Sequence, residues 1–144
     1  MDDFKRRVFE GFNSQTFMHH IGAELTAVEE GFIQIELPFD DRLLQQHGLF
    51  HGGVVATLAD NAGGFAGHTL MDENQQPLSI EFKINLLNPS RGERLIARAR
   101  VIKNGRRIKV CEVNIHALNG EKETHCALAI VSVIATEQTL NRGR

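Results

Sequence analysis

Apolar residues recur at different spacings along the chain, and each spacing predicts one kind of element. Helical spacing near the start predicts a short helix over residues 3–13, with an apolar face formed by Phe4, Val8, Phe9 and Phe12. Strict alternation then predicts a β-hairpin over residues 24–37, whose second strand turns three apolar side chains to one side: Ile33, Ile35 and Leu37.

A longer helix is predicted after the turn His51-Gly52-Gly53. Its apolar residues cover most of the helical surface: Val54, Val55, Leu58, Ala59, Ala62, Phe65 and Ala66. A helix with this distribution is expected to be buried nearly all round.

Four strands are predicted after this helix. The first has five alternating apolar residues that we expect on one face: Leu78, Ile80, Phe82, Ile84 and Leu86. Residues 95–102 and 108–115 form a hairpin through Asn104-Gly105, a dipeptide that supplies the positive φ angles of a type I′ turn. Residues 125–134 are apolar almost throughout, which predicts a strand buried on both sides, before a polar tail over residues 135–144.

This order of elements predicts an α+β fold, in which a mainly antiparallel sheet curls around one long central helix. The 144 residues match the usual size of one domain, so we expect a single domain over residues 1–144. One face of the sheet wraps the helix. A second copy of the chain is the simplest cover for the other face and the edge strands.

Charge and composition exclude several classes of partner. The chain has 16 Lys and Arg against 18 Asp and Glu, and a net charge of −2 argues against a nucleic-acid partner. The apolar runs are much shorter than the ~20 residues of a membrane span, and the first residues lack the apolar stretch of a signal peptide. Cys111 and Cys126 lie in apolar segments, so neither disulfides nor a cysteine-based zinc site is expected. We therefore expect a cytoplasmic protein.

The turn before the long helix is the first candidate for chemistry. Gly48, Gly52 and Gly53 allow the backbone to approach an external group closely where the helix begins. Free N–H groups at that end, together with the helix dipole, can receive negative charge in the manner of an oxyanion hole. The alternative is that these glycines only permit the turn and close packing.

Asp60 is the second candidate, because an acidic residue inside an otherwise apolar helix is costly to bury without a partner or a task. A structural hydrogen bond or a water-facing position would be the alternative. His51 lies nine residues earlier, which places the two on opposite sides of the helix and about 13 Å apart along it. A site containing both must be assembled from two subunits, so the sequence predicts a dimeric active site.

Three more glycines, Gly63, Gly64 and Gly67, lie in the second half of the same helix, where each costs up to ~1 kcal/mol relative to alanine. We expect close packing against the sheet or a symmetry mate there, in preference to ligand contact.

These motifs resemble one known family. Gly48, the triplet His51-Gly52-Gly53, the acid at position 60 and the strand over residues 79–89 are similar to the hotdog-fold acyl-CoA thioesterases of the PaaI (phenylacetate-pathway) type. The resemblance extends from about residue 22 to residue 133. It implies a homodimer of hotdog folds, often paired into a homotetramer, with each active site at the dimer interface.

The resemblance also implies roles for individual residues. Asp60 would be the general base that activates water or the nucleophile that forms a mixed anhydride, and the Gly52 N–H would polarise the thioester carbonyl. His51 would orient the loop, and Ser79 would hold the attacking water. Gln45 stands where many relatives have asparagine, and it is a candidate carbonyl donor or substrate-orienting group.

Substrate contacts are expected from the same loop and from basic residues. Gly48, Phe50 and Gly53 belong to the loop, and Arg91, Arg106 and Arg107 could reach the coenzyme A phosphates. A charged hairpin tip is also commonly just solvated.

No cofactor is expected, because coenzyme A is part of the substrate and a thiolate leaves readily without an acid or a metal. The remaining histidines show no metal-ligand spacing: His19, His20, His47, His68, His116 and His125. We therefore expect hydrolysis of an aryl- or fatty-acyl-CoA. The alternatives are a non-catalytic acyl-CoA-binding protein and a hotdog hydratase or dehydratase, in which His51 would have to turn inward.

Overall fold

The computed structural model describes residues 1–137, which form three α-helices, one 3₁₀ turn and one six-stranded antiparallel sheet. The elements in chain order are α1 (Asp3–Asn13), α2 (Thr16–Ile21), β1 (Glu24–Glu29), β2 (Phe32–Pro38), the 3₁₀ turn (Asp41–Leu43), α3 (Gly52–His68), β3 (Gln75–Leu86), β4 (Arg94–Asn104), β5 (Ile108–Asn119) and β6 (Lys122–Glu137). The strand order in the sheet is β1-β2-β4-β5-β6-β3. This architecture confirms the predicted α+β fold, including the short N-terminal helix and the long central one.

The sheet wraps α3 with a continuous apolar face. The side chains that face the helix are aliphatic and completely or almost completely buried: Ile33, Ile35, Leu37, Leu95, Ala97, Ala99, Val113, Ile115, Ala127, Ala129, Val131 and Val133. The small alanine side chains project little from the sheet, so the backbone of α3 can pack close to the strands. A Cβ added at Gly63 would lie 2.7 Å from Val131 Cβ, which assigns the expected packing role to this glycine.

One stripe of α3 stays partly open, contrary to the prediction of a helix buried nearly all round. Thr57, Asp60, Asn61 and Gly64 are only half-buried and recur at helical spacing. The physical reason is that β3 is the edge strand of the sheet, so no further strand in the described part of the chain covers this side of the helix.

The apolar residues of β3 do not share one face, and that prediction was wrong. The pairing of β3 with β6 shifts by one residue between Ser79 and Glu81, so Ile80 is an extra residue at a β-bulge. Ser79 pairs with Val133, and after the bulge Phe82 pairs with Val131. Both valines face α3, so Ser79 lies on the helix side of the strand while Leu78 lies on the outer side.

The hairpin of β4 and β5 is confirmed, but its predicted type I′ turn is not. Neither Asn104 nor Gly105 has a positive φ angle. The connection is longer, since β4 ends at Asn104 and β5 begins at Ile108. Glycine is needed at position 105 because an added Cβ would collide with the carbonyl oxygen of Ile108.

Strand β6 was predicted to be buried on both sides, and only its inner side is. The outward-facing Ile130 is 38% exposed, because nothing within residues 1–137 covers the outer face of the sheet there. The strand also runs to Glu137, so it includes the first residues of the predicted polar tail. The rest of that tail, residues 138–144, lies outside the described residues. No helix within residues 1–137 is long and apolar enough to cross a membrane.

Candidate active site

Among the described residues, one backbone amide at the start of α3 has no acceptor. His51 caps the helix, and its Nδ1 accepts a hydrogen bond of 2.8 Å from the Gly53 N–H. The N–H groups of Val54 and Val55 both donate to the His51 carbonyl oxygen. The Gly52 N–H therefore remains without an acceptor within residues 1–137, at the positive end of the helix dipole.

His51 and Gly53 hold this arrangement in place. The His51 N–H donates to the Leu43 carbonyl oxygen over 2.9 Å, which anchors the loop, and the ring lies at the surface. A Cβ at position 53 would lie only 3.0 Å from His51 Nδ1, so glycine there permits the cap. Since His51 lines neither of the two pockets described below, the geometry does not favour the proton transfer that a hydratase would need from it.

A cavity of about 350 Å³ lies beside the Gly52 amide; it is called the Gly52 pocket. Its lining residues come from the loop before α3, from the start of that helix and from the end of β3 with the loop after it: Gln45, Leu49, Phe50, Gly52, Leu86, Leu87, Asn88, Pro89 and Ser90. Gln45 Oε1 accepts a hydrogen bond from the His47 N–H, which leaves the Gln45 Nε2 donors available to a substrate.

Two other predicted loop residues have mainly structural roles in this chain. Gly48 has φ +77° and closes the loop, with its N–H donating to the Gln45 carbonyl oxygen, and it does not line the pocket. Phe50 lines the pocket but is only 2% exposed, and its ring packs edge-on against Phe39.

Asp60 lies in a second cavity of about 290 Å³, called the Asp60 pocket. The residues lining it come from the first two helices, from α3 and from the two paired strands β3 and β6: Gly11, Ser14, Gln15, Asp60, Asn61, Gly64, Phe65, Gln76, Pro77, Leu78, Ser79, Thr136 and Glu137. Asp60 Oδ1 is shielded from water and has no hydrogen-bond donor among the described residues. The structure thus places Asp60 and Ser79 in the lining of the same pocket.

The two pockets share no lining residue. Eight residues of helix between Gly52 and Asp60 correspond to about 12 Å along the axis. A single chain therefore presents the carboxylate and the free amide at two separate places, in agreement with the spacing argument from the sequence.

The predicted basic residues lie outside both pockets, Arg91 just before the start of β4 and Arg106 and Arg107 just after its end. Arg91 follows Ser90, which lines the Gly52 pocket. Arg106 and Arg107 form the tip of the β4–β5 hairpin, where the Arg107 carbonyl oxygen accepts a hydrogen bond from Ala135. The next residue after Ala135, Thr136, lines the Asp60 pocket.

Gln15 and Asn61 are among the pocket residues that sequence reasoning missed. Asn61 was visible as a polar residue next to Asp60 in an apolar helix. Gln15 gave no signal, because it lies in the short joint before α2, a six-residue helix without a recognisable period. No group of three or more His, Cys, Asp or Glu side chains that could hold a metal ion occurs within residues 1–137.

Comparison with known proteins places these features in a family. The family model described as Thioesterase superfamily matches residues 47–124, which contain the Gly52 turn, Asp60 and Ser79. A thioesterase family protein from Silicibacter pomeroyi is 35% identical and superposes with a TM-score of 0.91, over 93% of this chain and 98% of that one.

Two Escherichia coli proteins are also similar. The medium/long-chain acyl-CoA thioesterase YigI is 30% identical over 69% of this chain and 74% of its own. The PaaI protein from the phenylacetic acid degradation operon shares the fold, with a TM-score of 0.81 at 20% identity over 92% of this chain and 93% of that one. The chain therefore belongs to the thioesterase superfamily, as a thioester hydrolase with the hotdog fold.

Proposed function

We propose that this protein hydrolyses acyl-CoA thioesters, as a homodimer in which Asp60 of one protomer faces the Gly52 amide of its partner. The observation that carries the proposal is that the Asp60 carboxylate and the Gly52 amide line two separate pockets of one chain. A carboxylate and a free helix-terminal amide are the groups that hydrolysis of a thioester needs, and each chain holds both, but apart. The name of the relative YigI supports coenzyme A thioesters as the substrate class.

The edge strand β3 supplies the surface for this dimer. Several large apolar side chains on β3 and just after it are exposed: Leu78, Ile80, Phe82, Leu86 and Leu87. An uncovered apolar edge strand is prone to pair with another strand. Antiparallel pairing of β3 with its copy about a two-fold axis would continue the sheet across both protomers. It would also bring the start of one α3 beside the Asp60 region of the other.

In the proposed reaction the Gly52 N–H and a Gln45 amide donor receive the thioester carbonyl oxygen. A water held by Ser79 gives its proton to Asp60, and its oxygen bonds to the carbonyl carbon. The alternative route has Asp60 itself attack, forming a mixed anhydride that water then hydrolyses. In both routes the C–S bond breaks and the electron pair leaves with the sulfur as the coenzyme A thiolate. The leaving thiolate requires no cofactor or metal.

The proposed two-fold arrangement would also form a binding site for coenzyme A. Arg91 of one protomer and the Arg106–Arg107 tip of its partner would lie at the same end of the dimer, although they lie at opposite ends of one chain. Their guanidinium groups suit the coenzyme A phosphates. Pairing of two dimers into a tetramer and a cytoplasmic location remain predictions.

The test is thiol release from a panel of aryl-, medium-chain and long-chain acyl-CoA thioesters. We expect turnover by the wild-type protein and a loss in kcat on the order of 10²-fold or more for Asp60→Asn. The matched control is Asp72→Asn, since Asp72 is an exposed acid outside both pockets. Hydrolysis unchanged in Asp60→Asn would remove this carboxylate from the mechanism. Binding of acyl-CoA without thiol release by the wild-type protein would instead support the non-catalytic alternative.

A further inference from the structure

The Asp60 pocket contains a pair of polar side chains that the hydrolytic reaction does not use. Gln15 lies at the joint between α1 and α2, and Asn61 follows Asp60 on α3. Both line the pocket, and Asn61 Nδ2 donates a hydrogen bond of 2.7 Å to Gln15 Oε1. The pair therefore connects the N-terminal helices to α3 at the pocket wall.

This Gln15–Asn61 pair has unused hydrogen-bonding capacity. Asn61 Oδ1 and Gln15 Nε2 are shielded from water, and neither has a partner in the part of the chain that the structure describes. Since each amide has a donor and an acceptor end, turning both amides over would again leave one NH₂ group and one carbonyl free. A buried polar group without a partner costs about 1–3 kcal/mol. A ligand that supplies the missing partners would recover that cost.

The rest of the pocket limits what such a ligand can be. Much of its wall is carbon, from Gly11, Phe65, Pro77 and Leu78. The Ser14 hydroxyl already donates to the Gly11 carbonyl oxygen over 2.8 Å. A volume of about 290 Å³ is near the lower end of the ~300–1,000 Å³ typical of ligand pockets. The pocket therefore suits a small acyl group with one polar substituent.

A hydroxyl group is the substituent that matches the pair, because one hydroxyl can accept from the free NH₂ group and donate to the free carbonyl. A keto oxygen could only accept. Building on the proposed thioesterase function, we propose that Gln15 and Asn61 determine specificity, selecting small acyl-CoA thioesters whose acyl group carries a hydroxyl over the same acyl group without it.

The experiment compares kcat/KM for matched pairs of substrates: butyryl-CoA with its β- and γ-hydroxy derivatives, and benzoyl-CoA with meta-hydroxybenzoyl-CoA. The wild-type protein should favour at least one hydroxylated member by about 10-fold or more, as expected when a site built for a hydroxyl loses its partner. Gln15→Met and Asn61→Leu keep the approximate volume and remove the amides. Each should reduce the preference to less than about three-fold, mainly by lowering kcat/KM for the hydroxylated member of the pair.

Ser14→Ala is the matched control, because it removes a pocket hydroxyl whose hydrogen bond is already satisfied within the chain. It should keep the preference. If Asn61→Leu fails to fold, the result for Gln15→Met alone tests the inference. This variant should fold, because the Gln15 side chain makes no capping hydrogen bond to α2. Absence of any preference in the wild-type protein, or a full preference in the folded variants, would overturn the inference and leave the thioesterase function standing. Failure of the wild-type protein to hydrolyse any of these thioesters would overturn the proposed function as well.

Discussion

Single buried polar groups distinguish the middle of α3 from its C-terminal end. Asp60 has an unpaired Oδ1 in a pocket that a ligand can enter, whereas His68, near the helix end, is 1% exposed and lies outside both pockets. Both ring nitrogens of His68 lack a hydrogen-bond partner among the described residues. A buried group facing an open pocket is available for chemistry, while one enclosed by the core affects stability instead.

The first prediction concerns the pH dependence of stability. Burial, and next the positive charge of Arg7, lower the pKa of His68 from 6.5 to about 4. The unfolded chain therefore binds a proton at this site at higher pH than the folded one. The free energy of unfolding should fall as pH falls from about 6.5 to about 4, by up to about 3 kcal/mol from this residue, and level off below.

Urea denaturation of the wild-type protein and of His68→Leu across this pH range measures the effect. The variant should lose less stability on acidification, and His20→Ala, which changes an exposed histidine, should follow the wild-type curve. Parallel curves for the wild-type protein and His68→Leu would show that this imidazole is not the buried neutral group described here.

At the scale of elements, the sequence predicted the features that arise within one segment of the chain. It missed those that arise from contacts between distant segments. The period of α3 and the alternation in β2 are local patterns, and both elements were predicted. The bulge at Ile80 was not, because apolar alternation continues unchanged through it and the shift arises only in the pairing with β6. Asp60 stood out within its own helix, but the pocket that it shares with Gln15 depends on how α1 and α2 pack.

The second prediction tests the packing of α3 on β6. Gly63→Ala should lower the free energy of unfolding by about 1–3 kcal/mol, because its Cβ would lie 2.7 Å from Val131 Cβ in a filled core. The neighbouring Gly64→Ala is the matched control. The nearest atom to its Cβ would be Ser79 Oγ at 3.9 Å, so the helix preference of alanine should leave stability unchanged or raise it by up to ~1 kcal/mol. Chemical denaturation of both variants checks this, and equal effects would refute the packing argument.

At the scale of the whole molecule, the exposed apolar surface lies where the proposed dimer would place its second copy. The sheet ends at β3 with large apolar side chains exposed, and the half-buried stripe of α3 that carries Asp60 lies on the same side. The sequence predicts a dimeric site, because His51 and Asp60 are too far apart on one helix, and this stays a prediction. It could not predict which strand forms the edge, because strand order is set by long-range pairing.

The third prediction compares two isoleucines that are both extra residues at bulges. Ile80 on β3 is 53% exposed and Ile102 on β4 is 58% exposed. Ile80→Lys should give a monomer in light scattering and lower kcat/KM by at least about 10-fold, because it places a charge in the proposed interface. Ile102→Lys should stay associated and active. A dimeric and active Ile80→Lys protein would place the interface elsewhere.

Pairing of two inactive variants tests the shared active site most directly. Asp60→Asn removes the carboxylate. Gly52→Pro removes the amide N–H at the first position of α3, where proline is well tolerated. His51 already has the extended backbone that a following proline requires, with φ −60° and ψ 137°. Co-expression of the two variants at equal levels makes half of all dimers mixed, and one of the two sites in each mixed dimer then contains both groups.

The measurement is thioesterase activity of each variant alone and of the co-expressed mixture. We predict two nearly inactive parents and a mixture that recovers about a quarter of the wild-type kcat, since one site in four is intact. If the carboxylate and the amide of the same chain acted together, every site in the mixture would lack one of them. A mixture as inactive as its parents would therefore contradict the account.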